Sequence, residues 1–332
     1  MRRRARAALL ASILALAFAQ AARADGARER QFLRPTPASG TYGESFTFIA
    51  DLDDGTYVHL TLALTTLGPG GLKTICRARI VPPGALPWAA ATRLGSDAWS
   101  WAGGPGERLA VGPCSAEMEG EGLAVEVALE GGRARLAFAA RPAQAPLLRD
   151  AVVVVPGKQF RSEVMLFRTP VTATVALPGR PVRTVEGAGY ADHSRSTISP
   201  LDLFESWVRF RALRGDRPVA LLGRRGRDGA FKPVWACEDG DHCRDLDRYE
   251  IRRAPDARPA AFAVTVGAGE DALQLRSGAL LYRSAPVEEL GLLGRLVKVV
   301  AGNPVTYVYR GTLQEGDAPP VEGILEVEVA DD

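Results

Sequence analysis

Alternation with a period of two dominates this chain. Tyr57–Thr65 reads YVHLTLALT, so Val58, Leu60, Leu62 and Leu64 share one face of a strand, opposite Tyr57, His59, Thr61 and Thr65. Leu123, Val125, Val127 and Leu129 repeat the pattern, and Glu130-Gly131-Gly132 then turns the chain into a partner at 133–139, a hairpin signature. Asp53-Asp54-Gly55 likewise joins 46–52 to the strand that starts near Thr56. Further strands are predicted at 74–81, 171–177, 206–213, 219–223, 231–236, 261–266, 273–282, 306–309 and 324–329. Short strands between Gly, Pro and Asp turns predict an all-β chain whose antiparallel sheets close or stack. One segment departs from the rule. Over 286–302 (PVEELGLLGRLVKVVAG), Leu290, Leu293, Leu296, Val297 and Val300 recur at helical spacing, between a Pro suited to a first turn and a Gly302-Asn303-Pro304 stop. One helix is therefore expected near the C-terminus.

The first 24 residues are patterned differently. MRRRAR is a positive start, residues 7–18 (AALLASILALAF) form an apolar run too short to span a bilayer, and Ala22-Arg23-Ala24 supplies a small-x-small cleavage pattern. Residues 1–24 are expected to be a signal peptide, cleaved before Asp25. No Cys follows the apolar run, which disfavours a lipoprotein, and no later segment is long and apolar enough to span a membrane. The expected mature protein is periplasmic or secreted, without stable membrane insertion.

Export changes the reading of charge and cysteine. The 332-residue chain carries 41 basic and 39 acidic side chains, with only four Lys (Lys73, Lys158, Lys232 and Lys298). Five of the Arg belong to the leader, so the mature chain is mildly acidic and no nucleic-acid partner is expected. In an oxidising compartment, Cys76, Cys114, Cys237 and Cys243 favour disulfides. Of the three possible pairings, sequence proximity favours Cys76–Cys114 with Cys237–Cys243. The rival reading of CEDGDHC, a metal site using Cys237, His242 and Cys243, lacks the paired ligand spacing of a zinc site. No metal and no cofactor is expected.

Residues 186–214 (EGAGYADHSRSTISPLDLFESWVRFRALR) gather the densest chemistry: Tyr190, Asp192, His193, Ser194, Arg195, Trp207, Arg209 and Arg211. Asp192 and His193 could serve proton transfer, but neighbouring strand residues point to opposite faces, which undercuts a Ser–His–Asp triad. Gly187-x-Gly189 lacks the third Gly and the following helix of a dinucleotide fingerprint. The alternative is a buried salt-bridge network that pins two barrels, with Tyr190 and Trp207 as packing residues. His59 is expected to be exposed or on a polar cavity wall, and His242 on a surface loop.

Gly187-x-Gly189-Tyr190-x-Asp192-His193 resembles the G-x-G-Y-x-D-x-N segment of the hydroxyneurosporene synthases (carotenoid hydratases) and of the related AttH and survival-factor lipocalin-like proteins. Trp207 and Arg211 match the Trp and Arg that follow it, and residues 44–81 resemble the same families' opening hairpin, including Thr65 to Gly70. The resemblance implies two lipocalin-like antiparallel β-barrels in tandem, over 25–195 and 196–332, enclosing a hydrophobic cavity. It implies binding of a lipophilic small molecule (lipid, isoprenoid or polyene) or, alternatively, a hydratase, isomerase or cyclase with Asp192 as the acid. Tyr190, His193, Arg195, Trp207, Arg209 and Arg211 are then ligand contacts or structural. Here His193-Ser194-Arg195 departs from the hydratase pattern, and an Arg beside Asp192 would favour its ionised form, the opposite of what an alkene protonator needs.

Overall fold

The computed structural model describes residues 31–38, 40–67, 71–142, 148, 150–240, 242–285 and 303–330. The helix expected over 286–302 lies outside them. The all-β expectation holds: among the described residues the chain forms two curled antiparallel sheets in tandem, with one helical turn, α1 (Pro200–Leu203), beside the passage from one to the other.

The first sheet contains β1 (Gly43–Leu52), β2 (Tyr57–Thr65), β3 (Lys73–Val81), β4 (Trp88–Leu94), β5 (Trp99–Ala102) and β6 (Arg108–Val111). It continues with β7 (Cys114–Glu119), β8 (Gly122–Leu129), β9 (Gly132–Phe138), β10 (Ala151–Val155), β11 (Lys158–Ala176) and β12 (Arg183–Ser196). The order is β4-β3-β2-β1-β12-β11-β9-β8-β7-β6-β5, with β10 paired to β11. β3 and β7 stand far apart in that order, yet a disulfide joins Cys76 to Cys114 across a Cα–Cα distance of 6.3 Å. The sheet must therefore roll until its two ends face each other across an interior. Both cysteines are buried there, with Phe46, Phe48, Leu60, Leu62 and Phe138.

The second sheet runs β16-β15-β14-β13-β21-β20-β19-β18-β17. Its members are β13 (Ser206–Ala212), β14 (Val219–Arg225), β15 (Val234–Glu238), β16 (His242–Leu246), β17 (Tyr249–Arg253), β18 (Phe262–Val266), β19 (Leu273–Ser284), β20 (Pro304–Glu315) and β21 (Val321–Ala330). Val208, Phe210, Leu221, Tyr249, Phe262, Val264, Leu275, Tyr309, Leu325 and Val327 pack the concave side of its curl. The second disulfide, Cys237–Cys243, staples the β15–β16 hairpin, where the two residues are directly opposite. It leaves neither thiolate to bind a metal.

A separate apolar cluster unites the outer faces. Ile49, Tyr57, Val164 and Tyr190 of the first sheet pack with Leu213, Leu222, Trp235, Tyr282, Val308 and Ile324, which lie on or next to strands of the second. The central strands are thus buried on both faces, one in a curl and one in the seam between the sheets. Bulges adapt the strands to it: β11 shifts register between Val164 and Leu166, and β19 between Leu280 and Tyr282. The β19 bulge brings the consecutive residues Leu281 and Tyr282 into the seam together.

Residues 187–196 form most of β12, a central strand paired on both sides by β1 and β11. The glycines serve close approach: a Cβ on Gly187 would lie 2.4 Å from the Asp51 carbonyl oxygen, and one on Gly189 would lie 2.5 Å from the Phe138 ring. The change of sheet falls between Ser196 and Ser206.

The two disulfides close loops of different size, and the chain-entropy model ranks them accordingly. Replacing Cys76 and Cys114 together by Ala is expected to cost about 4 kcal/mol, against about 2 kcal/mol for the Cys237/Cys243 pair. Chemical denaturation of the two double variants checks the order; equal losses would contradict it.

Candidate functional site

The chemistry collects in the seam. On β12 the side chains of Tyr190 and Asp192 point outward, level with Ile49 and Thr47 of β1, whereas Ala191 and His193 point into the curl beside Phe48 and Phe46. Period-two alternation therefore divides the motif between two environments. From the second sheet, β13 sends Arg209 and Arg211 into the seam, while Phe210 enters its own core. Arg209 is directly opposite Glu326 of β21, and Trp207 is opposite Glu328.

The result is a network of buried charges that crosses from sheet to sheet. Arg209 Nη1 donates to Asp192 Oδ2 at 3.1 Å and lies 3.8 Å from Glu326 Oε2. Arg211, 1% exposed, donates from Nη1 to Glu326 Oε1 at 2.7 Å and places Nη2 3.7 Å from Asp192. The Arg211 guanidinium stacks 4.4 Å from the centroid of Tyr190, and that of Arg209 lies 5.3 Å from Trp207. Burial pushes Glu326 up, but the charges of Arg211, Arg209 and His59 outweigh it and hold the carboxyl below its ordinary value. Burial instead prevails at Glu328 and raises it, despite hydrogen bonds from Thr306 and Trp207.

Tyr190, Asp192, Trp207, Arg209 and Arg211, all singled out from sequence, thus meet. His193 and Arg195 do not join them. His193 lies on the opposite face, where Nε2 is 2.7 Å from Glu44 Oε1 and Nδ1 is 3.6 Å from Glu163. Its ring stacks on Phe46 at 4.4 Å. Glu44 also accepts hydrogen bonds from the Tyr42 hydroxyl and the Thr36 amide. Arg195 shares that inner side and acts electrostatically on Tyr42, so it is not the partner of Asp192. His242 is exposed on β16 rather than on a loop.

Sequence reasoning missed much of the seam. His59, expected on a surface or cavity wall, shares a 2.6 Å hydrogen bond between Nδ1 and the Tyr282 hydroxyl across the sheets. Arg79 lies over the same tyrosine at 4.5 Å and donates to Ser284 Oγ at 2.9 Å. A usable signal did exist. The RFR of β13 and the EVE of β21 each set two like charges, or one charge and its repeat, at i and i+2, a complementary match between two strands. At one end of the seam, Arg310 donates to Gly55 O and pairs with Asp51 at 2.6 Å. An open groove of about 1050 Å³ lies there, lined among others by Asp51, Arg214, Arg276, Arg310 and Pro319. Beside Tyr190, Arg211 and Trp235 the free space is only about 10 Å³.

Neither a protein-family model nor a curated protein matches the sequence. Solved structures do match the fold. An AttH-like protein of Nitrosomonas europaea superposes with a TM-score of 0.61 at 16% identity, over 88% of this chain and 93% of the other. Kievitone hydratase of Nectria haematococca gives 0.55 at 10% identity, over 91% and 92%. CghA gives 0.56 at 12% identity, over 90% and 96%, and is also known in complex with Sch210972. The chain thus has the tandem lipocalin-like fold of these AttH- and hydratase-type proteins, over nearly its whole described length.

The two histidines titrate in opposite senses. Burial pushes His59 down to about 4, opposed by Glu326 and Asp192 but aided by Arg211 and Arg79. Between pH 6.5 and about 4 the unfolded chain takes up a proton that the folded one refuses, so His59 lowers stability as pH falls through that window. Burial also lowers His193, but Glu163 and Glu44 outweigh it and raise the ring above 6.5. Its stabilisation is complete below pH 6.5 and is lost as pH rises through the raised value. Stability measured against pH should therefore lose acid sensitivity in His59→Gln and, in His193→Gln, lose its decline as pH rises through the raised value. Profiles parallel to the wild type would refute both assignments.

Proposed function

We propose that this is an exported lipocalin-like protein that binds a lipophilic small molecule, and that the seam between its sheets is the binding region. The observation that carries the reading is the set of buried donors in the seam without acceptors: Tyr57 Oη, Arg211 Nε and Nη2, Arg224 Nη1 and Trp235 Nε1. Protein interiors pair nearly all such groups, so a concentration of unpaired ones marks a place built for contact with something further. Apolar walls from Ile49, Leu222, Val308 and Ile324 around these donors suit a molecule that is mostly hydrocarbon with a few polar anchors. Ligand access requires the closed seam to part. The short passage 197–205, with its single helical turn, is the segment we assign to that movement.

The fold of kievitone hydratase supports a second reading, a hydratase, isomerase or cyclase. An acid for alkene protonation must hold a proton, and Asp192 is instead engaged as acceptor to Arg209. Glu328, raised by burial and accepting from Thr306 at 2.8 Å, fits the requirement better. Export is supported by the leader pattern and the two disulfides; among the described residues no helix is long and apolar enough to cross a membrane.

Native mass spectrometry of protein purified from its exporting host is expected to show a polypeptide beginning at Asp25 with a retained lipophile. A mass matching the bare full-length chain would reject both statements. Asp192→Asn is expected to destabilise the fold by about 3–5 kcal/mol, because it leaves a buried guanidinium short of a counter-charge. An unchanged denaturation midpoint, with turnover of a polyene abolished, would instead make Asp192 the acid.

A further inference from the structure

Arg224 is the seam cation that the ion-pair network leaves out. It lies on β14 opposite Trp207, is 2% exposed, and has no carboxylate within ion-pair distance among the described residues. Its Nη1 has no hydrogen-bond partner. The guanidinium rests against two rings, 4.9 Å from the centroid of Phe160 and 5.3 Å from that of Phe204, which meet edge to face. These rings flank a small apolar cluster of Val153, Ile198 and Leu203, distinct from the second sheet's core and from the main seam cluster.

A guanidinium withdrawn from water without a counter-ion loses more than two aromatic faces return. Burial and the charge of Arg209 push it down to about 9, against an opposing pull from the charge of Asp192. Two positions along the same face of β14, Leu222 lines the small space that also receives Arg211 and Trp235, both with unpaired donors. A buried planar cation, further donors nearby and an apolar cluster beside it are the parts of a site for a charged head with a hydrocarbon tail. The guanidinium fork matches the paired oxygens of a carboxylate or phosphate.

We propose that the seam takes an amphiphile with an oxyanion head, a carboxylate or phosphate monoester, on Arg224, its tail lying over Val153, Phe160, Ile198, Leu203 and Phe204. The inference rests on the seam-binding reading above and names the class of ligand. The neutral fluorescent lipophile N-phenyl-1-naphthylamine serves as reporter, displaced from the mature protein by oleate, oleyl phosphate or oleyl alcohol, which share one tail. At least one of the two anions is expected to displace it at a concentration tenfold or more below the alcohol, and their order identifies the head. Arg224→Met, which keeps an apolar chain against the rings, should erase that preference, and Arg224→Lys should retain part of it. An alcohol as effective as both anions in the wild type, or a full preference in Arg224→Met, overturns the proposal while leaving lipophile binding intact. A reporter that does not bind at all overturns lipophile binding itself. Should Arg224→Met fail to fold, the wild-type comparison and Arg224→Lys decide.

Discussion

The structure depends on opposite charges buried between two sheets. Asp192 comes from the first sheet, Arg209, Arg211 and Glu326 from the second, and neither set is neutral without the other. Each guanidinium withdrawn from water needs its carboxylate in good geometry, so the sheets are held in one register and not merely pressed together. Apolar residues of one shared cluster, Ile49 and Leu222 among them, supply burial, but burial alone is indifferent to small slips. The charge network supplies the specificity; the Arg310–Asp51 pair repeats the device elsewhere along the seam, and a hydrogen bond between His59 and Tyr282 adds a further polar link.

Strand periodicity makes such a seam hard to see in a sequence. Alternation sorts residues into two faces without stating what either face meets. Val58, Leu60 and Leu62 read correctly as core because apolar side chains have one sensible destination. His59 read as exposed or on a polar cavity wall, yet the second sheet covers it, and Arg79 beside it donates to Ser284 of that sheet. The disulfides were legible because proximity in sequence coincided with proximity in space for Cys237 and Cys243, and because each half of the chain held two cysteines. Gly and Ser usually mark a passage between elements, and residues 187–196 contain both. Here Gly187 and Gly189 make room for the Asp51 carbonyl and the Phe138 ring inside a sheet.

The segment that carries the family resemblance has two jobs, set by one residue of offset. Tyr190 and Asp192 belong to the seam and tie the sheets; Ala191 and His193 belong to the first curl, where His193 bridges Glu44 and Glu163. A proton relay running from Asp192 to His193 would have to pass through the strand, so any chemistry at the motif uses one face at a time. The opposite shifts of His193 and His59 express the same division. One ring is enclosed by carboxylates, and the other faces guanidiniums as well as acids.

The balance of charge in the seam bears on what it could receive. Arg79, Arg209, Arg211 and Arg224 project into or beside it, against Asp192, Glu326 and Glu328. Burial raises Glu328 toward its neutral form, which widens the excess of positive charge, and Asp192 and Glu326 are already shared between Arg209 and Arg211. A seam serving adhesion alone would gain by replacing Arg224 with an apolar side chain of similar length, since an uncompensated buried cation only subtracts from stability. A pure hydrocarbon ligand would not relieve that cost either. A negatively charged group would, which is why the proposed amphiphile carries an oxyanion head.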